Sequence, residues 1–473
     1  MSRRLLISAA PGEWRTALVE NGTLVDFRLV RLVGGSRIGE IHLGRLVRRL
    51  PALRAALVEI GLERPAYLSL DDAASKRGGA LVHEGAAILV QVKRDARADK
   101  AVGVTMRLCL NGRFLDWTPA RPGARVEMVA LPERARVAAM LDRMLKAGEG
   151  ALAHPHAAVA DAAALEADVT ALRTRWTKVE TERRRATPPC RLYAINPIAD
   201  LLGDFLDEAV DAIIVDDAVA FVTLRGALSR DWPAFLDRLA RHRGTEPLFE
   251  AEGIADAVAM LMRPRVALAG GGALLIVPTP AGVLIDVDSG SLAEEQRVGE
   301  EALLAVDLAA AAVIARQIRL RGLAGAIVVD FIALSRKTDR ERLLEAFRTA
   351  LMTEVPEAQL LGWTRLGHVE VTHPRRRAAS HEVLFEPSPD GRWVKTPLTV
   401  ALEALAEAQR AGREGSLRPM RLHVHPQIAA VLAGEASPVV SELEASLGQR
   451  LEILPEPSCA LEHFAIEPGP LHN

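Results

Sequence analysis

The sequence predicts a mixed α/β protein of several domains. A chain of 473 residues is long enough for about three domains. Its apolar fraction of 49% and charged fraction of 25% are ordinary for a soluble globular protein. Short β-branched runs alternate with helical patterns along the chain, and the clearest succession of hairpin, helix and strand lies at 270–334.

The hairpin of this segment comes first. Residues 273–277 and 283–288 are two β-branched-rich runs, and the Thr-Pro-Ala-Gly sequence at 279–282 supplies a turn between them. Because side chains alternate along a strand, Asp286 and Asp288 share one face while Val287 takes the other. The second strand of the hairpin is therefore expected to carry two carboxylates on one side.

A helix and a third strand follow the hairpin. The pattern becomes helical from about 294 to 321, acidic in its first turn and basic in its last, and Gly322 follows as a stop signal. Residues 326–334 form a nearly continuous apolar run, interrupted once by Asp330, as expected of a strand covered on both faces. If the two strands pair in parallel, the segment is a right-handed βαβ unit.

The carboxylates predict a cation site. Asp286 and Asp330 would lie near the carboxyl ends of two strands, where ionised groups repel each other unless a cation lies between them. A few oxygen ligands favour Mg²⁺, or Mn²⁺ as the alternative, over zinc. The other interpretation is that each aspartate is a turn or capping residue. The cation is favoured by the combination of three carboxylates with a basic helix that would face a phosphate, its cations being Arg316, Arg319 and Arg321.

Charge and cysteine usage exclude several classes of protein. A formal net charge of −2 argues against a wholly basic nucleic-acid binder, so any RNA surface must be local. Cys109, Cys190 and Cys459 are too isolated for a disulfide framework or a zinc spacing, so we expect a reducing cytoplasm. The apolar run at 5–10 is too short for a signal peptide and no segment reaches membrane-spanning length, so no membrane association is predicted.

Strand patterns dominate the first 118 residues. Residues 1–35 contain short strands with a hairpin turn at Glu20-Asn21-Gly22, and they are too few to form a core alone. Residues 36–118 contain further strands between polar and glycine-containing breaks, which predicts a small barrel.

The remaining segments mix helices and strands. Helical patterns occupy 157–185 and 196–206, and Asp216-Asp217 after the strand at 212–215 is interpreted as a helix cap. A capping box at 338–341 predicts a helix to about 353, and a further helix at 397–410 is expected to stop at Gly412. His423 and His425 alternate along a strand and are interpreted as structural.

Four motifs carry a resemblance to a known family. In chain order they are LIDVDSG, ARQIRLRGLAG, AIVVDFI and WTRLGHVEVTHPR, and together they resemble the catalytic domain of the ribonuclease E/G family. The resemblance implies that Asp286 and Asp330 match the family's two Mg²⁺-binding aspartates. Asp288 falls where the family usually has Asn; it remains an oxygen ligand that would orient the water shell of the metal, with an added negative charge.

The resemblance also implies a domain order. An RNase H-like subdomain is formed by 1–35 and 194–258, and an S1-type OB-fold RNA-binding barrel is inserted at 36–118. A degenerate region at 119–193 corresponds to the family's 5′ sensor. A DNase I-like catalytic domain at 259–383 and a small C-terminal domain at 397–473, which mediates dimers in the family, complete the chain.

RNA contacts are implied in two places. Tyr67 and Lys100 match the RNA surface of the family's barrel, where bases stack on aromatic rings beside cations, while Leu57 replaces a Phe. Packing is the alternative interpretation of Tyr67 and Leu57. The candidates for holding the RNA backbone near the metal are Arg316, Arg319, Arg321 and Arg365.

Two features of the family are missing. The pocket that senses a 5′-monophosphate is built around an Arg-Thr pair, whereas residues 153–156 here read Ala-His-Pro-His, and proline has no backbone N–H. Larger members carry a Cys-Pro-x-Cys zinc link, but residues 382–391 here contain no thiol. We therefore expect cleavage that does not depend on a 5′-monophosphate, and no bound zinc.

These observations predict a cytoplasmic, Mg²⁺-dependent endoribonuclease that cleaves single-stranded RNA in RNA processing or decay. Two alternatives stay open. One is a non-catalytic RNA-binding paralogue, which the missing sensor, the missing Phe and the change from Asn to Asp at Asp288 favour. The other is a metal-dependent phosphohydrolase acting on small nucleotides, which would not need residues 36–118. The sequence also leaves open a homodimer.

Overall fold

The fold is described from a computed structural model. It covers residues 2–73, 83–96, 101–126, 129, 131–207, 209–269, 271–279, 281–290, 299–375, 377–388, 392–414 and 419–469. The chain forms two compact units. One comprises Met1–Gly35 with Phe205–Asn473, and the other comprises Ser36–Asp204.

Three antiparallel strands open the chain, namely β1 (Arg3–Ala10), β2 (Glu13–Glu20) and β3 (Thr23–Arg31). The turn between β2 and β3 places Asn21 and Gly22 at φ values of 49° and 79°. Positive φ at both central residues is what the tightest hairpin turns need, and Asn-Gly meets this at low cost. The predicted hairpin is therefore confirmed.

A closed barrel follows. Its strands are β4 (Ile41–Leu50), β5 (Ala55–Glu59), β6 (Ala66–Ser69), β7 (Ala87–Arg94) and β8 (Gly103–Thr105), with a short helix α1 (Leu70–Ala73). The strands pair in the order β4-β5-β6-β8-β7, and β7 pairs back onto β4. The interior is aliphatic and includes Leu46, Val58, Leu68, Val90 and Val104. The expected small barrel is therefore a closed one of five strands.

The same unit contains a second sheet of short strands. They are β9 (Leu110–Asn111), β10 (Leu115–Thr118), β11 (Gly123–Arg125) and β12 (Gly150–Ala153), in the order β11-β12-β10-β9. Strands β9 and β10, which the sequence analysis places in the barrel segment, thus belong to this second sheet, where β10 pairs with both β9 and β12. Helices α2 (Leu131–Met144) and α3 (Ala162–Arg183) accompany this sheet, and β13 (Cys190–Tyr193) pairs with β4. The helix predicted from 157 begins later, because Asp161 caps it by accepting from the Ala164 N–H.

The chain then extends the sheet of β1 to β3. The elements are α4 (Pro197–Phe205), β14 (Ala212–Val215), α5 (Ala218–Asp231), β15 (Leu239–Arg241), α6 (Leu248–Ala251) and α7 (Ala255–Met260). Strand β14 pairs in parallel with both β1 and β15, which gives the order β15-β14-β1-β2-β3. The boundary between the two compact units falls within this segment, at 204–205.

A six-stranded sheet carries the central βαβ unit. Its elements are β16 (Arg265–Ala267), β17 (Ala273–Pro278), β18 (Val283–Asp288), α8 (Glu300–Arg321), β19 (Gly325–Asp330), α9 (Lys337–Glu354), β20 (Gln359–Trp363) and β21 (Val369–His373). The order is β16-β17-β18-β19-β21-β20, with β18 and β19 parallel. Gly322 ends α8 at φ 64°, as its position predicts.

One face of this sheet is open, which corrects the expectation of a strand covered on both faces. Strand β19 ends at Asp330, and Phe331–Arg336 is irregular. Helices α8 and α9 share one apolar core with the inward residues of β18 and β19. On the other face Leu284 is 50% exposed. The apolar run misleads because aliphatic residues occur on the open face as well as on the covered one.

The C-terminal elements are α10 (Ser380–Leu384), β22 (Phe385–Pro387), β23 (Trp393–Lys395), α11 (Pro397–Glu414), β24 (Met420–Val424), α12 (Pro426–Ala433), α13 (Ser437–Leu447), β25 (Leu451–Pro455) and β26 (Phe464–Pro468). Helix α11 continues past Gly412, so the predicted stop is wrong. A Cβ at Gly412 would lie 2.8 Å from Leu447 of α13, so the glycine allows the two helices to approach.

A second local prediction is also wrong. Helix α9 begins at Lys337, so Thr338 lies inside its first turn and the predicted capping box is not formed. The predicted helix is formed and ends at Glu354, close to the expected end, but it begins before the predicted cap. Across the described ranges, no helix is long and apolar enough to span a membrane.

Candidate active site

Asp286 and Asp330 are direct neighbours across the parallel pair of β18 and β19. Adjacent strands are about 4.8 Å apart, so the two carboxylates start from neighbouring backbone positions. Both belong to the open face, where Asp286 is exposed and the Asp330 side chain is 58% exposed. The sequence prediction that the two aspartates share the ends of neighbouring strands is confirmed by this register.

The pair has few internal partners. Within the described residues, Asp286 accepts no hydrogen bond and forms no ion pair. The same part of the structure gives Asp330 one ion-pair partner, His368, whose Nε2 atom lies 3.7 Å from Oδ2. Two adjacent carboxylates without backbone donors repel each other, and a cation placed between them removes the repulsion. The pair is thus arranged to receive a positively charged group.

His368 is a site residue that the sequence analysis did not single out. It immediately precedes β21, the antiparallel neighbour of β19. Residue alternation along the LGHVEV segment would have placed it on the same face as Glu370, which is exposed. This alternation is visible in the sequence, but it places His368 beside Asp330 only once β21 is known to pair with β19.

Asp288 has a different environment from Asp286. Its side chain accepts from the Gly290 N–H at 2.9 Å and from Arg265 at 3.0 Å. The Gly290 hydrogen bond, followed by the Arg265 contact, lowers the pKa of Asp288. Asp288 therefore lies on the predicted face as an ionised group, with Arg265 as its partner.

The three arginines of α8 do not approach the carboxylates. Arg316 donates to the Leu24 carbonyl at 2.6 Å, and Arg319 pairs with Glu354 at 3.0 Å. Arg321 is buried, donates to Gln317 at 2.7 Å, and its pKa is lowered to about 10 by burial. Helix α8 packs on the covered face of the sheet, whereas Asp286 and Asp330 lie on the open one. The expected arrangement of a basic helix facing the carboxylates is therefore wrong, because alternate strand residues point to opposite faces.

Arg365 lies on the same sheet as the carboxylates. It is exposed in the turn between β20 and β21, three residues before His368 in the chain. Of the predicted arginines, it is the one whose side chain is available to an external ligand near this end of the sheet.

The barrel places a second group of candidates together. Tyr67 is half-buried on β6, and its register neighbours are Leu57 on β5 and Gly103 on β8. Leu57 in turn faces the exposed Arg48 on β4. An aromatic ring, an aliphatic side chain and a cation thus form one row across three strands. Lys100, the other predicted RNA contact of the barrel, lies outside the described residues.

His154, which the sequence analysis places in the 5′-sensor-like region, has contacts within the protein. His154 follows β12, and its Nε2 atom is 2.9 Å from Oδ1 of Asp116 on β10. Its Nδ1 atom is 3.4 Å from the Arg113 carbonyl. The imidazole side chain is only 15% exposed. Both ring nitrogens therefore face oxygen atoms of the protein.

His423 and His425, interpreted from the sequence as structural, have contacts within the protein, and only His423 lies on the strand, because His425 is the N-cap of α12. His423 on β24 contacts Glu456 at 2.6 Å, and His425 accepts from the Gln427 N–H at the start of α12. Over the residues that the structure describes, no cluster of three or more His, Cys, Asp or Glu side chains is arranged to hold a metal ion. Among the described residues, the side chains at the open face that could hold a cation are therefore the Asp286–Asp330 pair and the neighbouring Asp288.

The fold and site define a class of multidomain α/β protein in which a closed five-stranded barrel accompanies a sheet with adjacent carboxylates at its strand ends. Sequence comparison places the chain more narrowly. The model of the Ribonuclease E/G family matches residues 109–377, more than half of the chain, and the chain belongs to that family.

Individual relatives support the assignment over nearly the full length. Ribonuclease G of Escherichia coli is 28% identical over 487 aligned residues, which cover 98% of this chain and 99% of the relative. Ribonuclease G of Haemophilus influenzae is 28% identical over 98% of both chains. Ribonuclease E of Nostoc sp. is 31% identical over 377 residues, covering 76% of this chain and 54% of the relative.

Proposed function

We propose that this chain is an endoribonuclease that cleaves single-stranded RNA with a divalent cation held by Asp286 and Asp330. The observation that carries the proposal is the direct pairing of these two aspartates on adjacent parallel strands of an open sheet face. The RNA substrate is supported by membership of the Ribonuclease E/G family and by relatives named ribonuclease G and ribonuclease E.

The donor set fits Mg²⁺. This ion is commonly bound through one or two carboxylates, retains several waters and takes further oxygens from substrate phosphates. Mn²⁺ accepts the same oxygen ligands and is the alternative. When bound, such an ion supplies a Lewis acid for the phosphodiester and lowers the pKa of a water molecule. Asp286 and Asp330 would hold it, while Asp288, already paired with Arg265, would orient its water shell.

The protein side chains around the pair have distinct roles. His368 orients Asp330 through the contact to Oδ2 and adds a donor at the edge of the site. Arg365, exposed in the adjoining turn, binds the RNA backbone by presenting a planar donor fork to a phosphate. We assign Arg316, Arg319 and Arg321 a structural role in holding α8 behind the sheet.

The barrel supplies the rest of the RNA surface. A base stacks on Tyr67 beside the aliphatic Leu57, and Arg48 holds the neighbouring phosphate. Lys100 stays a predicted contact of the same surface. We assign this module as an S1-type OB fold, the six-stranded sheet as the DNase I-like catalytic domain, and the sheet of β1 to β3, β14 and β15 as the RNase H-like subdomain.

The proposal extends to the assembly and the location of the protein. We propose a cytoplasmic protein in RNA processing or decay, with any homodimer formed through residues after about 397. Because residues 382–391 contain no thiol, we expect no zinc bridge between chains.

The decisive experiment is a cleavage assay of the purified protein on a short single-stranded RNA. We expect products with Mg²⁺, none after addition of EDTA, and recovery when Mg²⁺ is restored in excess. Tyr67→Ala should raise KM more than it lowers kcat, because it removes one stacking platform worth about 1–3 kcal/mol. Binding of RNA without cleavage under any metal condition would indicate a non-catalytic RNA-binding protein. Hydrolysis of small nucleotides without cleavage of RNA would indicate a phosphohydrolase.

A further inference from the structure

The loop that follows Asp330 is anchored along its whole length. Phe331 is 5% exposed and packs edge-to-face against Phe347 of α9, with ring centroids 5.6 Å apart. Leu334 is 7% exposed and belongs to the same core. The remaining anchors are polar, and both come from carboxylates on α8.

Glu300 and Asp307 hold the two ends of this loop. Glu300, the first residue of α8, accepts from the Ser335 hydroxyl at 2.7 Å and from the Arg336 N–H at 2.7 Å. Asp307 accepts from the Ile332 N–H at 3.1 Å. The two carboxylates are seven residues apart in one helix, which places them on the same side about two turns apart. One helix therefore fixes the loop from Ile332 to Arg336.

Asp307 is unusual because of its burial. Its side chain is fully buried, with Oδ1 bound to the Ile332 N–H and Oδ2 without a partner among the described atoms. Burial raises the pKa of Asp307 to about 7. A leucine at this place would avoid the desolvation of a carboxyl, so a stability role alone does not explain the residue. What the carboxyl adds is a fixed acceptor for one particular backbone N–H.

That N–H lies two residues after Asp330, and the loop begins where β19 ends. The other proposed ligand, Asp286, is on β18, and α8 follows β18 in the chain. Glu300 lies at the start of α8, the helix after β18, and it binds the loop after β19. It thus connects the segments that follow the two aspartate-bearing strands. Misplacing a reacting group by about 1 Å can cost on the order of a hundredfold in rate, so such fixation matters at a catalytic site.

We propose that Glu300 and Asp307 are positioning residues that hold Asp330 in register with Asp286 for cation binding. The inference rests on the proposed function, because it assumes that the carboxylate pair holds a divalent cation. Neither residue touches the cation or the RNA. Each acts through the loop backbone, from the covered side of the sheet.

The first test does not depend on activity. Amide hydrogen exchange of the metal-free protein reports the two clamps directly at Ile332 and Arg336. We expect Asp307→Leu to lower protection at Ile332 by about tenfold, and Glu300→Ala to do the same at Arg336, the free-energy equivalent being about 1.4 kcal/mol. Asp307→Asn keeps a carbonyl oxygen at the same place and should retain the protection. Glu345→Ala is the matched control, since Glu345 is an exposed α9 carboxylate, 67% exposed, that pairs with Arg348.

The second test measures Mn²⁺ binding by electron paramagnetic resonance. We expect the dissociation constant to rise about tenfold in Glu300→Ala and Asp307→Leu, with Asp307→Asn and Glu345→Ala matching the wild type. In cleavage assays the same two impaired variants should need more Mg²⁺ for half-maximal rate, with KM for RNA unchanged. A general loss of stability would reduce the folded fraction without shifting the metal requirement of the molecules that remain folded.

The outcomes separate the inference from the proposed function. Wild-type affinity for Mn²⁺ in Glu300→Ala overturns the positioning role even if Asp307→Leu proves unfolded. The same holds if Asp307→Asn is as impaired as Asp307→Leu, because the acceptor would then not be what matters. A wild-type protein that binds no Mn²⁺ overturns the proposed function, and the positioning role with it.

Discussion

Two pairs of aspartates at strand ends in the same compact unit have opposite environments. Asp216 and Asp217 follow β14, while Asp286 lies near the end of β18 and Asp330 ends β19. Asp216 is half-buried, and its Oδ1 accepts from the Ala9 N–H at 2.8 Å. Asp286 and Asp330 are exposed, and neither accepts a hydrogen bond from the described backbone.

Asp217 completes the contrast. Its side chain accepts from the Val219 and Ala220 N–H groups at the start of α5, and it pairs with Arg413 of α11 at 2.5 Å. Both of its carboxylate oxygens thus have donors inside the protein, and Oδ1 caps α5 as the cap interpretation predicted. The comparison teaches that proximity of two carboxylates is a weak indicator of a cation site. The informative feature is adjacency combined with oxygens that no internal donor satisfies.

The largest effect is expected at the open pair. Asp286→Asn and Asp330→Asn should each reduce Mg²⁺-dependent RNA cleavage by at least about 1,000-fold, equivalent to about 4 kcal/mol, because one carboxylate holds a hard cation weakly. Folding should be preserved, since each substitution relieves like-charge repulsion between exposed groups. The measurement is single-turnover cleavage at saturating Mg²⁺, with circular dichroism as the check on folding.

Asp256→Asn is a suitable control for this experiment, because Asp256 is an exposed aspartate in the first turn of α7. It should cleave RNA at the wild-type rate. Unchanged cleavage by either Asp286→Asn or Asp330→Asn would show that the pair does not hold the cation. The lack of internal donors would then not distinguish a cation site from a structural pair.

The sequence could predict that Asp286 and Asp330 lie near the carboxyl ends of strands in one sheet, because the strand period and the βαβ order place them there, whereas their direct pairing is seen in the structure. It could also predict the Asn21-Gly22 hairpin, because the conformation of a tight turn depends on the residues of the turn itself. It could not assign α8 to one face, because Leu284 and Val328 on the open side are as apolar as Ile285 and Val329 on the covered side. Which face a helix covers depends on packing between segments distant in the chain.

Asp307 lies between these two cases, because it is buried like Asp217 but its Oδ2 atom has no donor among the described atoms. Its pKa is raised by burial from 3.8 to about 7. Between these values the folded state retains a proton that the unfolded state has lost, so stability falls as pH rises through this range. Asp307→Asn has no carboxyl to titrate. The free energy of unfolding of this variant, relative to that of the wild type, should therefore increase by about 2 kcal/mol from about pH 5 to about pH 7.

The measurement is the opening free energy of α8 amides by hydrogen exchange, corrected for intrinsic exchange rates, in both proteins at each pH. Using the difference between the two proteins cancels other carboxyls, including Asp216, whose pKa is also raised by burial. A difference that stays constant from pH 5 to pH 8 would show that Asp307 is ionised in the folded protein throughout.

Substitution in the Asp216–Asp217 pair should have a smaller effect, on stability alone. Asp217→Ala removes a helix cap, which costs about 0.5–2 kcal/mol, and leaves Arg413 without its partner. We expect a lower melting temperature and an unchanged cleavage rate per folded molecule. Thermal unfolding and active-site titration measure the two quantities, with Asp256→Ala as the control. A loss of cleavage out of proportion to the loss of folded protein would mean that this pair also contributes to the site.

The smallest effect on the cleavage rate is expected from the chemical state of the 5′ end of the RNA. Here the side chain in question is a possible donor, His154, which already has partners inside the protein. A 5′-monophosphate needs several donors aimed at it, because desolvating a dianion without them is costly. His154 lies where the family's sensor is expected, but its nitrogens face Asp116 and the Arg113 carbonyl. Pro155 has no N–H to offer.

A phosphate that approached His154 would also meet the charge of Asp116, whose side chain is 9% exposed and lies 2.9 Å from the imidazole. Repulsion between the two anions would offset any attraction to a protonated ring. We therefore expect RNAs of one sequence with 5′-monophosphate, 5′-triphosphate or 5′-hydroxyl ends to be cleaved at rates within about threefold of each other, less than 1 kcal/mol. Asp116→Asn tests the reason, because removing the carboxylate should leave His154 in place and create a modest preference for the monophosphate. A preference of about tenfold, or 1.4 kcal/mol, in the unmodified protein would mean that other residues supply the missing donors.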